Sequence, residues 1–119
     1  MSTWQKGREG EKRAERFLCE RGYKVVARNF RSRRGEIDIV VEKGDRIVFV
    51  EVKNWDYLDT ADLEYSIDRR KQQRICETSR YFMHSHPEFG QRRICFDVIL
   101  VSRKTPRVIH YENAFSAVG

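Results

Sequence analysis

No stretch of this 119-residue chain approaches the run of about 20 apolar residues that a membrane-spanning helix needs. The first residues, Met1-Ser2-Thr3-Trp4-Gln5-Lys6, lead directly into a charged segment, so no signal peptide is expected. Cysteine is scarce and odd in number. Cys19, Cys76 and Cys95 lie far apart and fit neither a disulfide framework nor a zinc site, which points to a reducing cytoplasm. Only two prolines occur, Pro87 and Pro106, and both read as markers of turns. Internal repeats, low-complexity tracts and a second domain are all lacking, so residues 1–119 read as one domain long enough for one real core. What the chain has in quantity is charge. Charged residues make up 35% of it against 39% hydrophobic, and 24 Lys and Arg face 18 Asp and Glu for a net charge of +6. That balance leans towards a polyanionic partner.

Two apolar, β-branched stretches hold the most unusual residues. Gly35-Glu36-Ile37-Asp38-Ile39-Val40-Val41 and Ile47-Val48-Phe49-Val50-Glu51-Val52-Lys53 flank the turn signal Lys43-Gly44-Asp45, which predicts a β-hairpin. A two-residue loop at Gly44-Asp45, or a four-residue loop pairing Glu42 with Ile47, sets Asp38 opposite Glu51 and Glu36 opposite Lys53. A three-residue loop would send Asp38 to the other face, and a bulge could undo either result. The even register is expected because it gathers the charges on one face. Two carboxylates about 4 Å apart repel by roughly 4 kcal/mol at an effective dielectric of 20. Lys53 relieves part of that, and a divalent cation relieves more, since Mg²⁺ commonly takes two protein carboxylates and completes its shell with water. The competing reading is a solvated face with ordinary cross-strand pairs. Val40, Ile47 and Phe49 share the charged face, however, while Ile37, Ile39, Val41, Val48, Val50 and Val52 occupy the other. Both faces therefore look covered, as in a central strand with helices on both sides.

Around this hairpin, Lys6 to Arg21 predicts a helix with Ala14, Phe17 and Leu18 on its apolar stripe and Gly22 at its end. Gly7 and Gly10 would let its start approach the sheet or a phosphate. Tyr23 to Phe30 predicts a strand. The basic loop Arg31-Ser32-Arg33-Arg34 feeds straight into the Glu36/Asp38 strand, and phosphate contact is expected of Arg31, Arg33 and Arg34. The segment from Asn54 to Asp62 predicts a loop. Its Trp55 and Tyr57 either stack on a base, pack on the local surface or meet another protein. Asp68 predicts an N-cap for a helix from Arg69 to about Met83. His84-Ser85-His86-Pro87 predicts its end rather than a metal site. Arg92 to Ser102 and Arg107 to Tyr111 predict the last strands. Asp97, acidic within an apolar run, is expected to pair with Arg28 or to accept backbone hydrogen bonds, and Phe115 to pack on the sheet. Helix, three strands, helix, two strands make an α/β domain with a mixed central sheet flanked by helices.

Asp38 followed by Glu51-Val52-Lys53 resembles the PD-(D/E)xK nuclease motif, with Ile37 where proline is frequent. Together with Gly22-Tyr23, Arg28-Asn29, Gly35-Glu36, Arg70-Lys71-Gln72, Phe96-Asp97-Val98 and Asn113-Ala114-Phe115, the chain resembles uncharacterised protein family 0102 over nearly its whole length. The resemblance implies a restriction-endonuclease-like fold, similar to archaeal Holliday-junction resolvases. It implies Asp38 and Glu51 as ligands of Mg²⁺ or Mn²⁺ with the Val52 carbonyl, and Lys53 as the residue acting on the attacking water or the phosphorane-like charge. It also makes Glu11, on the first helix, a candidate catalytic and metal-ligating residue, where the plain reading is a solvated helix residue among charge pairs. Lys71 and Gln72 become candidates for contact near the scissile phosphate, where the plain reading is an exposed basic helix start. The expected function is a metal-dependent nuclease on DNA, on branched or structured DNA in particular, with low sequence specificity. A symmetric substrate would call for a homodimer. The alternative is a nucleic-acid-binding module of the same fold that cuts weakly or not at all.

Overall fold

The computed structural model describes residues 3–54 and 67–116. Over these the chain forms α1 (Thr3–Glu20), β1 (Lys24–Arg31), β2 (Glu36–Lys43), β3 (Arg46–Asn54), α2 (Arg69–Ser85), β4 (Arg93–Val101) and β5 (Val108–Phe115), with one 3-10 turn at Pro87–Phe89. The element order is the expected one, and the last strand runs on through Asn113-Ala114-Phe115. The five strands lie side by side in chain order. All neighbours are antiparallel except β3 and β4, which are parallel. A parallel pair cannot be closed by a hairpin, and α2 lies in the connection that joins this one.

The two helices cover opposite faces, and that makes β3 a central, buried strand. On one face Ala14 and Leu18 of α1 pack with Ile39, Val41, Val48, Val50, Cys95 and Ile99. On the other, Ile75, Cys76 and Phe82 of α2 pack with Val40, Ile47, Phe49, Phe96, Val98 and Leu100. The α1 stripe begins at Gly10. A Cβ there would stand 3.3 Å from Asn54 Oδ1 and 3.6 Å from Val101 Cγ2, so the bare backbone lets the helix close on the ends of β3 and β4. At Gly7 the expected approach to the sheet does not occur: among the described residues an added Cβ would meet nothing within 4 Å. Gly22, at φ +89°, ends α1 in a Schellman arrangement: its N–H donates to Cys19 O and the Tyr23 N–H to Leu18 O.

The β2–β3 loop is the two-residue Gly44-Asp45, with Lys43 opposite Arg46 and Ile39 opposite Val50. Gly44 sits at φ +60°, and the first loop position of a type II′ turn asks for that conformation. The even register is therefore the one formed. Pairing stops at Ile39, where the Asp38 carboxyl rather than a β2 carbonyl takes the Val52 N–H. Strict alternation also breaks there. Ile37 belongs to the α2 side while Ile39 and Val41 belong to the α1 side, against the expectation that all three share a face.

Asp68 caps α2 by accepting the Lys71 N–H at 2.8 Å, which fixes the turn carrying Lys71. The helix runs two residues beyond the expected end, to Ser85. His86 then stacks on Phe82, ring centroids 4.1 Å apart, with its Nδ1 2.9 Å from Phe82 O.

Asp97 is fully buried. Its carboxylate accepts the Asn113 N–H at 3.0 Å and lies 2.7 Å from His110 Nε2. Asn113 has φ +50°, and the β4–β5 register shifts between Phe96 and Val98, so the carboxylate replaces ladder bonds lost at the bulge. Of the two expectations for Asp97, the backbone hydrogen bond is the one formed; Arg28 is instead exposed on β1, paired with Glu15. Asp97→Ala would leave a main-chain donor and an imidazole without their acceptor. An unfolding curve in denaturant is expected to show a loss of about 1–3 kcal/mol; an unchanged midpoint would show that the bulge holds itself.

Candidate functional site

The charged residues of the hairpin meet where β2 and β3 part. Asp38 and Glu51 are in hydrogen-bonding contact, and Asp38 Oδ2 also accepts the Val52 N–H at 2.8 Å. Burial, then the Glu51 charge, pushes the Asp38 carboxyl up to about 8, with the Glu11 charge adding to it and the Val52 N–H opposing. At neutral pH Asp38 thus favours its protonated form beside Glu51. Glu51 is buried, and Lys71 Nζ sits 2.6 Å from its Oε1. α2 delivers that ammonium from the far side of the sheet, across the turn capped by Asp68.

Lys53 completes the cluster. Burial lowers its proton affinity, and the hydrogen bond from Lys71 and the Lys71 charge lower it further; Glu51 and Asp38 work the other way. Lys71 goes in the opposite direction. Burial pulls it down, but its bonds to Glu51 and Lys53 and the two nearby acids hold it above the usual lysine range. Charge is thereby sorted among four side chains: Glu51 and Lys71 form the ion pair, Asp38 favours its neutral acid, and Lys53 gives up its proton more readily than an ordinary lysine.

The expected pairing of Glu36 with Lys53 does not form. Glu36 turns back to β1, 3.5 Å from Arg31 and 3.3 Å from Asn29 Nδ2. Glu11 also meets Asn29, whose Nδ2 donates to its Oε2 at 3.0 Å. Glu11 and Asp38 line one cleft of about 150 Å³ together with Arg8, Lys12, Glu15, Arg28 and Asn29. Asn29 is the organiser that sequence reasoning left without a role. It has φ +48° within a strand, a conformation Asn tolerates better than most residues, and it bridges α1 to β2. An Asn directly after an Arg in an otherwise apolar strand was the one available signal.

In the basic loop, Arg34 lies 3.8 Å from Glu77 of α2, Arg31 is held by Glu36, and Arg33 is exposed. Ser32 ties the loop to α2 through its hydroxyl, 3.0 Å from that of Thr78. Gln72 donates to Ile67 O at 3.0 Å, so it supports the entry to α2. Trp55 and Tyr57 lie outside the described residues.

The donor set suits a hard divalent cation. Two adjacent carboxyls, Glu51 buried and Asp38 partly so, with Asp38 favouring its protonated form through burial first and the Glu51 charge second, gain most from a cation that replaces the proton. Among the described residues no group of three or more His, Cys, Asp or Glu side chains is spaced to hold a metal ion. No helix among them is long and apolar enough to cross a membrane.

A mixed five-stranded sheet with a helix on each face, and acids and lysines at the parting of two central strands, is compatible with the restriction-endonuclease-like class of folds. By sequence the chain belongs to uncharacterised protein family UPF0102, whose profile matches residues 10–101. A UPF0102 protein of Treponema pallidum is 41% identical over 114 residues, covering 92% of this chain and 90% of the relative. One from Persephonella marina is 37% identical over 115 residues, covering 97% of each. One from a Bradyrhizobium strain is 39% identical over 118 residues, covering 98% of this chain and 84% of the relative.

Proposed function

We propose that this protein is a divalent-metal-dependent nuclease that hydrolyses phosphodiester bonds in DNA, on branched or otherwise structured DNA in particular. The observation that carries the reading is the adjacent Asp38–Glu51 pair where β2 and β3 part, with Lys71 2.6 Å from Glu51 and Lys53 beside it. Such an acid pair costs stability until a proton or a cation relieves it, and costly pairs of this kind gather at functional sites. Asp38 and Glu51 would hold Mg²⁺ or Mn²⁺ with the Val52 carbonyl, and Glu11, in the same cleft as Asp38 and bonded to Asn29, would act on the ion through water. Bound there, the ion polarises the scissile phosphate and acidifies the attacking water.

The protein's own groups then divide the work. Lys53, which gives up its proton more readily than an ordinary lysine, accepts a proton from the water or holds it in line. Lys71 faces the charge that gathers on the phosphorane-like phosphate. Arg31, Arg33 and Arg34, beside β2, hold the backbone, and Gln72 keeps the α2 entry in place. None of these contacts reads a base, so low sequence specificity goes with the reading. A two-fold-symmetric substrate would take two such sites and so a homodimer. Three free cysteines fit a reducing, cytoplasmic setting.

The test is cleavage of duplex, single-stranded, flap and four-way-junction DNA with Mg²⁺ or Mn²⁺, wild type beside Glu51→Ala. Wild type is expected to cut and Glu51→Ala to bind without cutting. Affinity should fall about 10³-fold or more between about 50 and 200 mM salt if six or more phosphates are held. Equal cutting by both proteins would remove the acid pair from the chemistry. Binding without cutting by either would favour a binding module.

A further inference from the structure

On the flank of α1 away from Asp38 lies a second cleft, of about 510 Å³, lined by Arg13, Arg16, Phe17, Glu20, Arg21, Pro106, Arg107 and Val108. Residues 13, 16, 17 and 20 share that flank by helical spacing, while Glu11 and Glu15 share the other with Arg8 and Lys12. Four arginines thus face one carboxylate across the cleft. So many like charges repel in the absence of an anion.

Two of them are held in place. Arg13 donates through Nη1 to Ser102 O and through Nη2 to Thr105 O at 3.1 Å and Arg107 O at 3.5 Å, fixing the β4–β5 turn as one wall. The Arg21 guanidinium carbon lies over the Phe17 ring, 3.4 Å from its centroid, and Nη1 donates to Phe17 O at 3.0 Å. Among the described residues that is one of its five N–H donors, and the ring contact helps set its rotamer. A guanidinium immobilised beforehand, with its remaining donors unspent, loses little entropy on taking a phosphate. Arg16 stands exposed on the rim.

We propose that this cleft is a second nucleic-acid contact, holding the phosphodiester backbone of another arm of the same substrate across α1 from the acid pair. The proposal rests on the nuclease reading and gives that reading a substrate class: DNA whose arms diverge enough to reach both flanks of α1. Phosphodiester is favoured over an acidic polypeptide by continuity: the cleft and the proposed nuclease site lie on the two flanks of one helix in a chain of net charge +6, so a single polyanion can run past both.

The experiment is fluorescence anisotropy with a labelled four-way junction and a labelled linear duplex, in Ca²⁺ so that substrate survives, over a salt series. Wild type is compared with Arg16→Glu and with Arg16→Ala/Arg21→Ala. Arg16→Glu alters an exposed rim residue and keeps the test valid if loss of the Arg21–Phe17 stack loosens the fold. On the junction, both variants are expected to bind about 10-fold more weakly, with the slope of log affinity against log salt shallower by about 1–2. On the linear duplex the change should be smaller. Unchanged affinity and slope on the junction, with wild type still binding, would overturn the cleft and leave the nuclease reading standing. If wild type binds neither DNA at any salt, the nuclease reading falls and the cleft with it. Variants that keep their DNA slope but lose binding to labelled polyglutamate would overturn the proposal in favour of an acidic protein.

Discussion

Lys53→Ala is expected to lower the cleavage rate about 10²–10³-fold, the usual cost of removing one positioned proton acceptor or charge-stabilising group, while junction affinity changes by less than about twofold. The asymmetry follows from where Lys53 lies. It is half-buried, hydrogen-bonded to Lys71 and close to Asp38 and Glu51, so on the proposed reading it would sit among the reacting groups and not on the basic surface proposed to hold the backbone. The direction of its altered proton affinity adds a second readout. Burial and the neighbouring Lys71 favour the neutral amine, so a base of this kind gains activity as pH rises and reaches a plateau below the ordinary lysine value of 10.5. Lys53→Arg separates the two roles. Arginine keeps a charge but cannot serve as a base near neutral pH, so near-complete inactivity assigns proton transfer, and substantial retained activity assigns charge stabilisation. Parallel loss of binding and cleavage in Lys53→Ala would instead place Lys53 in substrate contact or in the fold.

Much of the local structure was legible because its causes are local. Gly44-Asp45 between two β-branched runs set the hairpin loop, and the loop set the register that aligns the Asp38 and Glu51 ends. Asp68 announced α2, and Gly22 ended α1. What escaped depends on partners distant in sequence. That Asp97 accepts a backbone hydrogen bond was among the expectations; that the donor is Asn113, with His110 beside it, across a bulge between β4 and β5 was not, since no spacing rule reaches over a bulge. Arg28 looked available for it until the fold put Glu15 of α1 beside it. Ile37 broke the two-residue period because Asp38 spends its carboxyl on a main-chain N–H. Lys71 was marked only through resemblance, yet its contact with Glu51 is the strongest charge pairing in the site. It arises because α2 is packed on the sheet through Ile75, Cys76 and Phe82, and no local pattern encodes that docking.

Asp38 gives the second large effect, and it should appear in stability before any substrate is found. Its folded-state proton affinity lies at about 8, against 3.8 for the ordinary carboxyl, with burial the larger cause and the Glu51 charge next. The native protein therefore binds more protons than the unfolded chain between those values. Stability from this group is fully present below 3.8 and is lost as pH climbs to about 8, by up to about 1.4 kcal/mol per pH unit. Wild type is thus expected to melt progressively lower from pH 5 to pH 8 and to level off above. Asp38→Asn imitates the protonated acid, since its carbonyl can accept the Val52 N–H and its amide can donate to Glu51. Its melting temperature should stay nearly flat over the same range and exceed that of wild type by about 4 °C or more at pH 8. A cation that replaces the proton must reverse the order. Millimolar Mg²⁺ or Mn²⁺ at pH 8 is expected to raise the wild-type melting temperature and leave Asp38→Asn nearly unmoved, with wild-type affinity falling about tenfold per pH unit below 8 as the proton competes. Differential scanning fluorimetry over pH and metal concentration reads all of this. A wild-type melting temperature that stays level or rises from pH 5 to 8 would mean that Asp38 ionises freely in the fold. The acid pair would then lack the strain that makes a cation the natural occupant of the gap between β2 and β3.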